Sequence, residues 1–357
     1  MKRKNYLTVC LIAGFFLGMS VWNAFGQKAD YSESERRVLA KFPEITVESV
    51  LSGKFSEEFE EYAVDAFPMR DAWRSVKAYV KTGIFAQKDN NGIYTAEGHL
   101  SKFEYPMNEK MLDHAIQVFA HVKDKYLKEN DVYVAVIPDK NRYLAEENGY
   151  LLLNYDVLTE YMKQGMDYAK YIEIADLLSA DDYYKTDTHW KQDSLIDVAE
   201  RMASEMGAKL TKDYNVEKLD VPFNGVYVGQ SALVCEPDAI SYLTNDVLKR
   251  VTVEGAKAVY DMDKAKGKDA YEMFLSGNQP IIMMRDTENP EGKRLIIFRD
   301  SFGSSIAPLL MSGYSEIVLV DLRYVSSDML DEHVDFENAD VLFLYSTLML
   351  NNSLGMK

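Results

Sequence analysis

Leu295-Ile296-Ile297-Phe298-Arg299-Asp300-Ser301-Phe302-Gly303 is the stretch that decides the fold. Its apolar run has strand length and no alternation, which is how a strand covered on both faces of a parallel sheet reads. The helix-compatible SSIAPLLMS (304–312) follows at once, so Ser301 falls at a strand-to-helix turn. A serine there projects its hydroxyl over the carboxyl end of the sheet, and the backbone N–H groups of Ser301 and Phe302 are expected to point from the helix N-terminus toward a developing oxyanion. Capping of the helix by Asp300 or Ser301 accounts for the same residues. Taken alone, the segment is better explained by capping.

Outward from this stretch the pattern repeats. EIVLVDL (316–322) and VLFLYST (341–347) read as two more buried strands, and DVYVAVIPD (131–139) as another. Met111, Ile116, Phe119 and Val122 recur at helical spacing within 108–129, a second helix is expected around 157–166, and a long amphipathic one over about 190–206. Ile172 and Ile174 alternate with polar residues in YIEIADLL (171–178). Strand alternating with helix predicts a parallel α/β sheet flanked by helices. The turn residues of NNGIYTAEGHL (90–100) suggest a hairpin. From about 208 to 284 the short, Gly-punctuated FNGVYVG, VLKRVTVEG and KAVYDMD read as a β-rich insertion.

The N-terminus has another character. Lys2, Arg3 and Lys4 precede an uncharged stretch from Leu7 to Phe25, the positive flank and apolar body of a signal sequence or signal anchor. Roughly 20 residues suffice to cross a bilayer. Ala24 and Gly26 offer small residues for cleavage before Gln27, but Trp22, Asn23 and Phe25 make a poor cleavage region, so a retained anchor is favoured. Residues 28–88 read as a charged, helical juxtamembrane region interrupted at Pro68, and 89–357 as the main domain.

Composition removes several function classes. Lys and Arg total 40 against 57 Asp and Glu, and a net charge of −17 repels nucleic acid and anionic lipid. Only Cys10 and Cys235 occur, the first inside the apolar N-terminal run, so neither a disulfide framework nor a Cys-based zinc site is expected; Cys235 reads as a core residue. Gathering of Asp181, Asp182, Asp187 and His189 around a divalent cation is disfavoured, because no second histidine cluster is at hand. No metal and no other cofactor is expected.

A serine nucleophile needs a base, and the chain has five histidines. His114 and His121 lie seven apart on a predicted helix, while His99 and His333 fall in a hairpin and an acidic loop, both surface positions. His189 differs. In YYKTDTHWK (183–191) it stands two residues after Asp187 in a polar loop, and in extended backbone residues two apart face the same way. Asp187 is then placed to accept from the imidazole while Ser301 gives up its proton. Helix capping by Asp187 explains the same pair, and the local sequence leaves both readings open.

Asp187-Thr188-His189-Trp190 resembles the motif that names the bacterial DHHW family. The resemblance runs nearly end to end, through YSESERRVLAKFP (31–43), YAVDAFPMRDAW (62–73), NNGIY (90–94), VIPDKNRYL (136–144), FRDSFGSS (298–305) and VDLRYV (320–325). More distantly the chain is similar to the SGNH-hydrolase-like domains of exopolysaccharide O-acetyltransferases, including those acting on alginate, in which an Asp-x-His pair precedes the serine. Ordinary SGNH hydrolases have the opposite order, so a circularly permuted motif order is implied. The resemblance implies Ser301 as nucleophile, His189 as base and Asp187 as its orienting partner. Acyl transfer through acyl-Ser301 to water or a sugar hydroxyl follows, acting on a cell-surface polysaccharide, with a membrane acyl-donor protein as a further partner. Thr188 replaces the family's first histidine, and the Gly and Asn blocks that complete the oxyanion hole of ordinary SGNH hydrolases are not identifiable. Their topological equivalents make Arg323 and Tyr345 pocket candidates, with Lys140 a third. The missing blocks also keep open a non-catalytic glycan-binding or assembly protein on the same fold.

The N-terminal reading places everything after Gln27 outside the cytoplasm, anchored in the cell membrane, or secreted if the signal is cleaved. Protease added to intact spheroplasts should digest the main domain; full protection there refutes export.

Overall fold

The computed structural model describes every residue except Met1, Glu33 and Glu291, and the side chains from residue 5 onward. It divides into two units, one of Met1–Asn91 with Val228–Val234, the other of Gly92–Tyr227 with Cys235–Lys357.

The larger unit is built on seven strands: β1 (Val132–Ile137), β2 (Lys170–Tyr171), β3 (Thr252–Glu254), β4 (Ile281–Arg285), β5 (Arg294–Arg299), β6 (Glu316–Val320) and β7 (Ala339–Ser346). They lie in the order β3-β4-β6-β5-β7-β1-β2. From β6 to β2 all neighbours are parallel, and β3 and β4 add an antiparallel edge. Helices α1 (Glu109–Tyr126), α2 (Tyr155–Gly165), α3 (Ile196–Glu205) and α4 (Gly303–Leu310) cover its faces. Leu295 and Ile297 of β5 enter a core with Val198, Ala199 and Met202 of α3 and Ile306 and Leu309 of α4. Their neighbours Ile296 and Phe298 enter the opposite core with Leu112, Phe119 and Val122 of α1 and Leu158 and Met162 of α2. Successive side chains of a strand alternate faces, so a strand apolar at every position must be covered twice. This is the mostly parallel α/β sheet that the apolar runs imply.

Because β5, β6, β7 and β1 run the same way, their carboxyl ends share one edge. Ser301 follows β5, Asp321 follows β6, Ser346 ends β7, and Lys140 follows β1. Ligands of open α/β sheets bind at such edges.

Several elements depart from expectation. The stretch read as a β-rich insertion divides: Asn215–Phe223 pairs with Asp238–Thr244 away from the main sheet, whereas β3 and β4 extend the sheet itself. The helix expected over 190–206 is broken into a 3₁₀ turn at Gln192–Ser194 and α3, since Trp190 is held in an isolated bridge to Tyr183. Of YIEIADLL, Tyr171 alone lies in a strand, the two-residue Lys170–Tyr171, and a 3₁₀ turn follows at Ala175–Leu177. The hairpin does form, Ile93–Ala96 with His99–Lys102, over a turn with positive φ at Glu97 (50°) and Gly98 (79°), the backbone of a type I′ connection.

In the smaller unit, Asn5–Phe25 is a helix long and apolar enough to cross a membrane. Helices follow at Val47–Leu51, Lys54–Asp65 and Arg70–Tyr79, with Pro68 between the last two. Buried Asp65 organises them, accepting from Arg37 (2.8 and 2.6 Å) and the Ala40 amide (2.9 Å), with Arg70 alongside at 3.2 Å. Arg74 reaches the Gly229 and Gln230 carbonyls at 2.6 and 3.0 Å. A side chain on Gly229 would come within 1.5 Å of the Ser34 carbonyl oxygen, so that backbone approach needs glycine.

Candidate active site

Residues 183–191 close on themselves. Tyr183 bridges Trp190, the Tyr184 amide donates to the His189 carbonyl at 3.1 Å, and the Lys191 amide to the Asp182 carbonyl at 2.7 Å. Within this loop the Asp187 side chain is fully buried and the His189 side chain 12 % exposed. Asp187 Oδ1 accepts from His189 Nδ1 at 2.6 Å and from the His189 amide at 3.1 Å, and Oδ2 accepts from the Val226 amide at 2.8 Å. A carboxylate can only accept, so the imidazole proton sits on Nδ1 and Nε2 is left bare. Nε2 lies 2.8 Å from Ser301 Oγ and accepts from that hydroxyl.

Three groups fix the loop. Lys140, 1 % exposed, donates to the carbonyls of Tyr184 (2.7 Å), Lys185 (3.2 Å) and Asp187 (2.7 Å), and its ammonium lies 5.0 Å from the Tyr227 ring centroid. Burial pushes this ammonium down to about 7, against the pull of Asp187 and Asp238. Asp238 accepts from the Lys185 and Thr186 amides at 2.8 Å each and from the Thr186 hydroxyl at 2.5 Å. Gly225 donates its amide to Thr186 Oγ1 at 2.8 Å, and a Cβ there would stand 2.4 Å from Asp187 Cβ. The glycine is required by that approach, which also brings Val226 N–H onto the carboxylate.

On the other side, Asp300 shapes the turn that carries Ser301. Its Oδ1 accepts from the Phe302 amide at 3.0 Å, and its Oδ2 accepts from the Ser346 amide and hydroxyl at 2.9 and 2.6 Å, tying the turn to the end of β7. The Gly303 amide donates to the Asp300 carbonyl at 3.1 Å. The expectation that Phe302 N–H faces an oxyanion therefore fails, because the Asp300 carboxylate takes it. Asp300 thus closes the turn ahead of the helix, and Ser301 Oγ is left to face His189.

Of the other residues singled out from sequence, none is brought to Ser301 as a free polar group. Lys140 is spent on carbonyls. Tyr345, 2 % exposed, packs in the core with its ring 5.0 Å from Phe119, because the last residues of β7 still alternate between two covered faces. Arg323 is partly exposed but holds Asp321 through two bonds of 2.9 and 2.6 Å. Buried Arg299 stands 3.7 Å from the same carboxylate. Asp182 is committed to the Ser179 amide and hydroxyl at 2.8 Å each, and among the described residues no cluster of three metal-ligating side chains occurs. His99 is buried, not superficial, and burial pushes its pKa down. Cys235 is half-buried, not in the core. Sequence reading missed Asp238, whose signal is absent from any motif, and Gly225, whose signal lay in FNGVYVG.

No family model and no curated protein matches the chain. Solved structures do. A DHHW family protein from Eubacterium siraeum is similar with a TM-score of 0.59 and 20 % identity, over 75 % of this chain and 95 % of that one. PatB1 of Bacillus cereus, solved alone and with a sulfonyl adduct, is similar with a TM-score of 0.56 and 18 % identity over 72 % of this chain. The O-acetyltransferase domain of Pseudomonas putida AlgJ gives 0.45 and 13 %, over 73 % of this chain and 92 % of that one. The chain thus has the fold of the DHHW family protein and of PatB1, and the resemblance read from DTHW is borne out at the level of fold.

Lys140→Met, which fills similar space without donors, orphans buried carbonyls and should cost on the order of 3 kcal/mol in urea unfolding. Unchanged stability contradicts the brace.

Proposed function

We propose that the protein is a serine-dependent O-acyltransferase or O-acetylesterase acting on an exported cell-surface glycan, held at the membrane by its N-terminal helix with residues 89–357 outside as the catalytic domain. The observation that carries this reading is the unbroken chain Asp187 Oδ1, His189 Nδ1, His189 Nε2, Ser301 Oγ, with contacts of 2.6 and 2.8 Å. In it Ser301 Oγ attacks the acyl carbonyl as His189 Nε2 takes the hydroxyl proton, and the imidazolium is stabilised by Asp187. His189 returns the proton to the departing oxygen of the donor, leaving acyl-Ser301. Water or a sugar hydroxyl, deprotonated by the same Nε2, then attacks the acyl group and frees Ser301.

The amides of Phe302 and Gly303 are spent on Asp300, so we assign the backbone oxyanion contact to the Ser301 amide, just ahead of α4, where the helix dipole favours negative charge. Asp187 and His189 precede Ser301 in the chain, the permuted order implied by the resemblance to polysaccharide O-acetyltransferases. PatB1, which shares the fold, carries a sulfonyl adduct, the product expected when an activated nucleophile meets a sulfonylating reagent. A membrane acyl-donor protein would supply the acyl group where transfer, not hydrolysis, is the outcome.

One observation favours a second reading. The commitment of Phe302 N–H to Asp300 removes a usual oxyanion donor, which suits a non-catalytic glycan-binding or assembly protein.

Kinetics of three variants on an aryl acetate separate the two. Ser301→Ala and His189→Ala should each abolish nearly all turnover, and their losses should not multiply in the double variant, since the residues act as a unit. Asp187→Asn should lose about 10⁴-fold by analogy with a well-studied protease triad, while thermal stability stays near wild type if only the imidazole is released. Unchanged activity in Ser301→Ala sinks the enzyme and leaves the binding protein.

A further inference from the structure

We propose that Tyr271 is a positioning residue that holds the imidazole of His189 in the plane shared by Asp187 and Ser301; the proposal rests on the reading of His189 as the base. The two rings stack nearly flat, with centroids 3.8 Å apart and planes 11° from parallel. Phe302 is a second ring neighbour, tilted by 51° with its centroid 4.8 Å away. One face of the imidazole is therefore covered by a matching plane.

A base needs this kind of restraint because its hydrogen bonds do not all survive the reaction. Once the Ser301 proton moves to Nε2 and the oxygen becomes acylated, the bond at that end is lost. Asp187 Oδ1 then fixes one point of the ring but leaves rotation about that contact. A flat aromatic neighbour resists tilt out of the plane and tolerates small in-plane movement, the motion proton transfer requires. The ring face also carries negative potential, which suits an imidazolium.

Tyr271 is itself held by the nucleophile's helix. It is 5 % exposed, on the 3₁₀ turn Ala270–Met273, and donates to Ser305 Oγ at 2.9 Å. The same oxygen accepts from Trp190 Nε1 at 2.9 Å and donates to the Phe302 carbonyl at 3.2 Å. Ser305 lies on α4, four residues after Ser301, and Trp190 follows His189 in the chain. One hydroxyl thus ties together the segment bearing the base, the helix bearing the nucleophile and the ring that covers the base. Gln192 adds to this by donating to the Ser305 carbonyl at 2.7 Å.

Tyr271→Phe keeps the ring face and loses the hydroxyl, whereas Tyr271→Leu keeps bulk and loses the face. With ¹⁵N in the histidine rings, the native His189 spectrum should show a single Nδ1–H tautomer. The Phe variant should preserve it and keep kcat within a few-fold. The folded Leu variant should show exchange between tautomers and a kcat lower by about tenfold or more, with KM little changed. A well-folded Leu variant with the native spectrum and native kcat overturns the proposal. So does a folded Phe variant that loses the single tautomer or most of its kcat, which keeps the test decisive if the Leu variant fails to fold. The spectrum needs no turnover: an inert native protein with a single tautomer that the Leu variant loses defeats the enzyme reading and leaves the positioning role standing.

Discussion

A buried ammonium sets the shape of the loop on which the site depends. Lys140 Nζ replaces its water with the carbonyls of Tyr184, Lys185 and Asp187, one for each N–H it can donate. Removing an ammonium from water is expensive, and it persists where hydrogen bonds and nearby negative charge offset the cost. Here the offset comes from those carbonyls and from the carboxylates of Asp187 and Asp238. The dependence is mutual: Asp187, also excluded from solvent, has its carboxylate oxygens met by the Val226 amide and the His189 ring, and its carbonyl by Lys140. Loosening any of the three would let water reach the carboxylate and release the imidazole.

The sheet brings this local order to Ser301. Lys140 follows β1 and Ser301 follows β5, with β7 between them in register with both. The ends are cross-tied by side chains: Asp300 to Ser346, and Asp139 to Thr347 at 2.7 Å. Asp139 is buried as well, and burial raises its pKa to about 6. Cross-ties of this kind fix the ends of β1, β5 and β7 to one another, so that the loop held by Lys140 and the turn that carries Ser301 share one rigid edge.

Much of this was legible in the sequence, and the division follows from physics. LIIFRDSFG announced its strand and turn because a doubly covered strand has to be apolar at each position. Asp187 and His189 were singled out by their spacing in a polar loop, but their pairing with Ser301 came from the resemblance, since the local sequence fits a helix cap equally well. What remained hidden depends on long-range contact. Lys140 reads as a surface or pocket cation, and nothing in VIPDKNRYL says that its charge is met by carbonyls some 45 residues away. The β-rich segment read as an insertion because its strands are short, yet two of them complete the main sheet. Phe302 N–H looked free because a cap by the preceding carboxylate and an oxyanion donor leave the same residues in the chain. Tyr345 illustrates the converse, a topologically apt position whose side chain simply continues the core.

The central claim is that Ser301 is a nucleophile made reactive by His189 and Asp187. Intact-protein mass spectrometry after treatment with an aryl sulfonyl fluoride tests it most directly, without assuming any glycan or acyl donor. One sulfonyl group per chain is expected, mapped to Ser301, absent in Ser301→Ala and formed far more slowly in His189→Ala. A folded native protein that stays unmodified, or an adduct that persists at equal rate in Ser301→Ala, would contradict it.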